Sequence, residues 1–262
     1  MDLSTAPEAI FDRLECRGCP VREHAICSYC SPDEFQRLNR IRRVKTYARG
    51  SHITRLGDRL TEVGSLLHGT AYLSRSLEDG RRQIVGLLMP GDFIGRPGRR
   101  NAGFDIIAGS QVELCQFRMH DFEAILETSP TVNRRLLEMT FDELDAARLW
   151  MMVLGRANSR EKLASLIALL VQHSARQECR PINDALEIEL PFGRTEIAEY
   201  LGLTIETVSR RLSELRNDGL IRIKGRRRIH VLSYQALARE TGDSDNWLRE
   251  LQSGFCLGFP PH

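Results

Sequence analysis

Hydrophobic and polar positions change period several times along the chain. From Val44 to Phe117, short apolar or alternating runs are set off by glycines at 50, 57, 64, 69, 80, 86, 91 and 95. Gly69-Thr70-Ala71-Tyr72-Leu73-Ser74 and Gln83-Ile84-Val85-Gly86-Leu87-Leu88 are examples. Strand-length runs with regular turn signals predict an antiparallel β-roll or barrel. Glu78-Asp79-Gly80, between two such runs, predicts a hairpin. A short helix from Ser31 or Pro32 to about Arg40 precedes the roll.

After the roll the period lengthens. A long helix is predicted from Pro130 to Gly155. Within it Leu137, Thr140, Leu144, Ala147, Met151 and Leu154 recur at a mean spacing of about 3.5, the coiled-coil period. That row predicts a dimerisation face. Leu136, Met139, Phe141, Leu149 and Trp150 supply further apolar positions, enough for a second face against the roll. Ser159 is the expected N-cap of another helix, from Arg160 to about Ala175, with Glu161 in its first turn. A loop with Pro181 follows, and the residues from about Gly242 are expected to fray.

The segment from Arg194 to Leu212 predicts a helix-turn-helix. A first helix spans 194–201, with small Ala198 where two helices cross. Gly202 ends it and can take the left-handed backbone of a tight turn. Thr204 caps a second helix, in which Val208 and Leu212 face a core shared with Ile197 and Leu201. Glu206, Thr207, Ser209, Arg210 and Ser213 then point away, and these side-chain types can read base edges. Residues 219–224 and 228–231 read as two strands of a wing around Gly225.

Charge sharpens this picture. The 262-residue chain carries a net charge of only +2. Between positions 205 and 230, however, eight basic residues (210, 211, 216, 222, 224, 226, 227, 228) face three acidic ones (206, 214, 218). That is the local basic footprint that phosphate contact needs. No run approaches the roughly 18–20 apolar residues of a membrane span, and the N-terminus lacks a basic region followed by an apolar run. A cytoplasmic protein is expected, with its seven cysteines reduced unless a metal holds them. No phosphate-binding glycine loop, nucleophile elbow or HExxH is present, so an enzyme is not expected.

Four of the cysteines, Cys16, Cys19, Cys27 and Cys30, fall within fifteen residues. Thiolates at this spacing suit zinc or an iron–sulfur cluster. The local segment could supply all four ligands, or three could act with a remote cysteine such as Cys115, in the strand-like run 112–117. The two CxxC pairs are separated by seven residues, against the roughly 12–20 usual between zinc knuckle pairs, which favours a cluster. Cys179 and Cys256 have no partners in sequence.

The order of N-terminal cysteines, glycine-punctuated roll, long helix and winged helix-turn-helix resembles the CRP/FNR regulators over about residues 14–240. Leu201-Gly202-Leu203-Thr204-Ile205-Glu206-Thr207-Val208-Ser209-Arg210 looks like the FNR-branch recognition helix, with Glu206, Ser209 and Arg210 matching its Glu-x-x-Ser-Arg signature. The runs 86–99 and 136–148 are similar to the FnrL subgroup of that branch. The resemblance implies an α+β protein divided into a cluster-binding segment (1–30), a cyclic-nucleotide-binding-like β-roll (31–129), a dimerisation helix (130–157), a winged helix-turn-helix (158–240) and a flexible tail (241–262). It implies an oxygen sensor whose 4Fe–4S cluster is held by Cys16, Cys19, Cys27 and Cys115, with Cys30 as the alternative third ligand. The cluster-bearing homodimer is implied to bind palindromic sites with TTGAT-type half-sites read by Glu206, Ser209 and Arg210. Glu78, Asp79, Gly80, Arg81 and Arg82 correspond to a loop that contacts RNA polymerase. The Cys19–Cys27 spacing is longer than the usual FNR pattern. The cyclic-nucleotide branch carries Gly-Glu-Leu and a later Arg-Ser/Thr pair; here Gly95-Arg96-Pro97-Gly98 and 102–110 lack them, so no cAMP site is expected. A zinc-stabilised factor blind to oxygen is the alternative.

Overall fold

The computed structural model describes residues 16–177, 182 and 186–242. The expectations for residues 1–15, Cys179, Pro181, Cys256 and the tail from Asp243 fall outside them. The described residues form two compact units, 16–73 with 87–140, and 74–86 with 141–242.

The first unit opens with a 3-10 turn at Cys16–Gly18 and a series of turns to Cys30. Helix α1 (Pro32–Ile41) follows, capped by Ser31. The Ser31 hydroxyl accepts from the Glu34 amide at 3.3 Å, and the Glu34 carboxylate accepts from the Ser31 amide at 2.8 Å. This reciprocal pair satisfies two amides that the first helical turn leaves without partners.

The roll has two antiparallel sheets. One runs β1 (Arg42–Tyr47), β8 (Val112–Arg118), β3 (Glu62–His68), β6 (Phe93–Ile94). The other runs β2 (His52–Thr54), β7 (Asp105–Ala108), β4 (Ala71–Ser76), β5 (Arg82–Leu88). Leu66 and Leu114 from the first sheet and Ala71, Leu88 and Ala108 from the second form a buried core. Gly64 and Gly86, read as breaks in the sequence, lie within β3 and β5 instead. A Cβ on Gly64 would stand 2.2 Å from the Cys115 carbonyl oxygen, so its role is to let β3 lie close against β8.

β8 is covered on both faces, because successive strand residues point to opposite sides. Val112 and Leu114 enter the core between the sheets. Cys115 and Phe117 face the other way, towards the cysteine segment, α1 and a helix α2 (Met119–Thr128) absent from the sequence reading. In α2, Phe122 is fully buried and packs on Phe93 and Phe117, with ring centroids 5.4 and 5.6 Å away. Helix α3 (Pro130–Arg156) is one unbroken run of 27 residues.

In the second unit α4 (Ser159–Gln177) is capped by Asn158 and not, as expected, by Ser159. The Asn158 side-chain oxygen accepts from the amides of Arg160 and Glu161 at 2.9 and 3.1 Å, and the Glu161 carboxylate returns to the Asn158 amide at 2.7 Å. Ser159 instead accepts a hydrogen bond from Arg211. Helices α5 (Arg194–Leu201) and α6 (Ile205–Asn217) pack on α4. The wing is β10 (Ile221–Lys224) and β11 (Arg228–Val231), joined by a third strand not predicted, β9 (Leu186–Glu189), in the order β10-β11-β9. A short helix α7 (Tyr234–Arg239) closes the unit against α4.

Candidate nucleic-acid interface and metal centre

The turn between α5 and α6 is built from backbone chemistry legible in the sequence. Gly202 has φ 62° and ψ 42°, a left-handed conformation in which its amide bonds back to Ala198. The Thr204 hydroxyl accepts from the Thr207 amide at 3.2 Å and caps α6. Ile197, Leu201, Val208, Leu212 and Leu215 are buried beneath. On the opposite side Glu206 and Arg210 are exposed, and Thr207, Ser209 and Ser213 half-buried. The Ser213 hydroxyl donates to the Ser209 carbonyl at 3.0 Å, so it can offer a ligand only its lone pairs.

The basic residues divide by task. Arg211 donates to Ser159 at 2.8 Å and pairs with Glu214 at 2.6 Å, holding α6 to α4. Arg227 donates to the Pro191 carbonyl. Glu187, on the unpredicted strand β9, pairs with Lys224 at 2.7 Å and lies 3.9 Å from Arg228. The Lys224 ammonium beside it holds the Glu187 carboxyl below the usual carboxylate range. Arg210, Arg216, Arg222 and Arg226 remain exposed along α6 and the wing. Sequence spacing identified the basic cluster but not Glu187, whose strand is contributed from about forty residues upstream.

Between β4 and β5, Leu77 and Arg81 close the hairpin with a 2.8 Å backbone bond, and Gly80 takes φ 85°. Asp79 and Arg81 pair at 2.7 Å on its surface. Arg82 is drawn inwards and pairs with Glu199 of α5 at 2.7 Å. Glu78, Asp79, Gly80 and Arg81 are therefore the exposed tip.

Cys16, Cys19, Cys27 and Cys115 line one pocket that opens to solvent. Cys30 does not line it; it packs among apolar side chains that include Ile26 and Phe117. The remaining walls are mostly apolar, with Asn39, Arg42 and Ser65 as the polar members. The Cys16 thiol donates to the Asn39 side-chain oxygen at 3.0 Å. Burial first, and then the neighbouring sulfurs, push the Cys27 thiol up to about 11 and the Cys115 thiol up to about 12. Such thiols hold their protons at neutral pH until a cation displaces them. Among the described residues no three metal-ligating side chains gather as a single ion would require. The four sulfurs line one pocket, a soft donor set able to serve zinc or an iron–sulfur cluster.

On α3, the row expected to meet a partner is open: Leu137, Thr140, Leu144, Ala147 and Met151 are exposed and Leu154 half-buried. Phe141, offered as part of a face on the roll, is exposed beside them. Val132, Ala146, Trp150 and Val153 are buried instead.

These features define a β-roll followed along the chain by a winged helix-turn-helix. Residues 44–129 match the cyclic nucleotide-binding domain and residues 161–240 the Crp-like helix-turn-helix domain. The chain belongs to the CRP/FNR family of transcription regulators and is not an enzyme. It is 44% identical to the transcriptional activator protein FnrL of Cereibacter sphaeroides, over 88% of this chain and 93% of that one. It is 26% identical to the fumarate and nitrate reduction regulatory protein of Escherichia coli K12, over 89% and 92% of the two chains. The structure of FixK2 from Bradyrhizobium japonicum is similar with a TM-score of 0.69 at 27% identity, over 78% of this chain and all of that one. No helix among the described residues is long and apolar enough to cross a membrane.

Proposed function

We propose that this chain is a cytoplasmic, oxygen-responsive transcriptional activator that binds palindromic DNA as a homodimer when it carries a 4Fe–4S cluster. The observation that carries the reading is the shared cavity of Cys16, Cys19, Cys27 and Cys115, from which Cys30 is excluded. These four thiolates would hold the cluster, with Cys27 as the third N-terminal ligand. When bound, the group supplies a redox-labile centre that oxygen can dismantle. Zinc is the alternative occupant; the seven residues between the two CxxC pairs, short against the roughly 12–20 of zinc knuckles, support a cluster.

The chain's own residues provide the rest of the route. Ligation would fix residues 16–27 against β8, and the carbonyl of His24 in that segment receives a hydrogen bond from Arg135 of α3. A fixed segment thereby favours one presentation of α3. Leu137, Thr140, Leu144, Ala147, Met151 and Leu154 would pack against the same residues of a second copy. Two α6 helices would then enter successive major grooves about one helical turn apart. Glu206, Thr207, Ser209 and Arg210 would read the half-site edges, with Ser213 as acceptor only. Arg216, Arg222 and Arg226 would contact phosphates. The tip formed by Glu78, Asp79, Gly80 and Arg81, anchored by Arg82, would meet RNA polymerase.

The test is iron, sulfide and zinc analysis of anaerobically purified protein, with its visible spectrum and its affinity for a TTGAT-type palindrome before and after air. About four irons per chain, bleaching in air and a parallel loss of DNA affinity are expected. A colourless zinc protein with oxygen-independent binding would overturn the reading.

A further inference from the structure

Ser65 lies on β3 directly opposite Cys115 on β8. Directly opposed residues of an antiparallel pair project from the same face, and both line the cysteine cavity. Ser65 is 2% exposed, and its hydroxyl has no hydrogen-bond partner among the described residues. A buried hydroxyl left without a partner is costly, so its position at a sulfur-lined cavity calls for a stronger acceptor there than a protonated thiol. The close approach permitted by Gly64 holds β3 against the backbone of Cys115, which keeps the two side chains neighbours on one face.

We propose that Ser65 is a positioning residue for the metal centre, its hydroxyl donating a hydrogen bond to the ligated sulfur of Cys115. A thiol is a weak acceptor, whereas a thiolate bound to iron carries the charge that makes the bond strong. The hydroxyl is thus mismatched to protonated thiols and matched to ligated thiolates. Hydrogen bonds to sulfur ligands raise cluster potentials and stabilise the site. This inference rests on the cluster reading above.

The test compares wild-type protein with Ser65→Ala, each reconstituted anaerobically with iron and sulfide. Without metal, Ser65→Ala should melt at the same temperature or higher, because it removes an unsatisfied group. Once loaded, the variant should lose iron to an anaerobic chelator about ten- to a hundredfold faster. Its reduction potential should be lower. Iron–sulfur stretching bands that shift in D2O in the wild type should shift less in the variant. If both proteins load and match in potential, D2O shift and iron loss, the Ser65 assignment is wrong while the cluster reading stands. If wild type takes up no iron and sulfide, the cluster reading fails and the assignment with it.

Discussion

The Arg135 guanidinium donates to the backbone carbonyl of His24 across 2.7 Å, joining α3 to the turns between Cys19 and Cys27. Arg135 is almost fully buried, lies over the Tyr29 ring at 5.3 Å and approaches Glu138 at 3.7 Å. Its Nε has no partner among the described residues. A buried cation with unmet capacity is a poor choice for stability alone. It would suit a joint between the cysteine segment and α3, if the first binds metal and the second dimerises.

Replacing Arg135 by Met keeps the aliphatic stem and removes the bond to His24. We expect a stability loss of about 1–3 kcal/mol, read by denaturant unfolding of the metal-free protein. The loaded variant should retain its iron yet dimerise more weakly in anaerobic sedimentation. Wild-type dimerisation in the variant would show that α3 does not take its instruction from His24.

Cys27→Ser and Cys30→Ser should separate cleanly. The first removes a sulfur that lines the cavity and should abolish iron uptake. The second alters a side chain that does not line the pocket and should leave iron per chain unchanged. The reverse pattern would reassign the third N-terminal ligand.

Arg210→Ala and Arg211→Ala should fail in different assays. Arg210 is exposed on α6; if it reads a base, its loss should cost about 1–3 kcal/mol of discrimination at one base pair, measured by competition between matched and mismatched sites. Arg211 holds Ser159 and Glu214, so its loss should lower the melting temperature and weaken all sequences alike. Arg222→Ala should reduce the salt slope of binding by about one without changing sequence preference.

Gly64→Ala places a methyl where the Cys115 carbonyl already stands, 2.2 Å away. We expect β3 and β8 to part locally, with impaired iron uptake and a destabilised roll. Normal loading and unchanged melting would show that the strands yield without displacing Cys115.

How much of this the sequence revealed depends on how local each cause is. The α5–α6 turn was legible because Gly202 and Thr204 act on residues within one turn of themselves. The start of α4 was misplaced by one residue because Asn158 and Ser159 are both competent caps, and only the structure shows which oxygen meets the amides. Helix α2 went unread because it has no side-chain cap at its start and is held by Phe122 among aromatic rings from distant strands. β9 is four residues whose meaning comes from pairing with β11. Spacing proposed Cys115 as a remote ligand but could not choose between Cys27 and Cys30. Which of the two lines the pocket beside Cys115 depends on the path of the 16–30 turns, which is not local.

The ion pair between Arg82 and Glu199 binds a strand of the roll to the first helix of the DNA-reading pair. If the hairpin tip is where polymerase docks, the two ligands share one protein joint, and thermodynamic reciprocity applies. Whatever factor the promoter imposes on polymerase affinity, polymerase must return to promoter affinity. Reversing the signs, with Arg82→Glu and Glu199→Arg together, should restore a coupling that either change alone removes. The regulator would then be a party to a three-body equilibrium, and its apparent operator strength a property of the polymerase concentration in which it is measured.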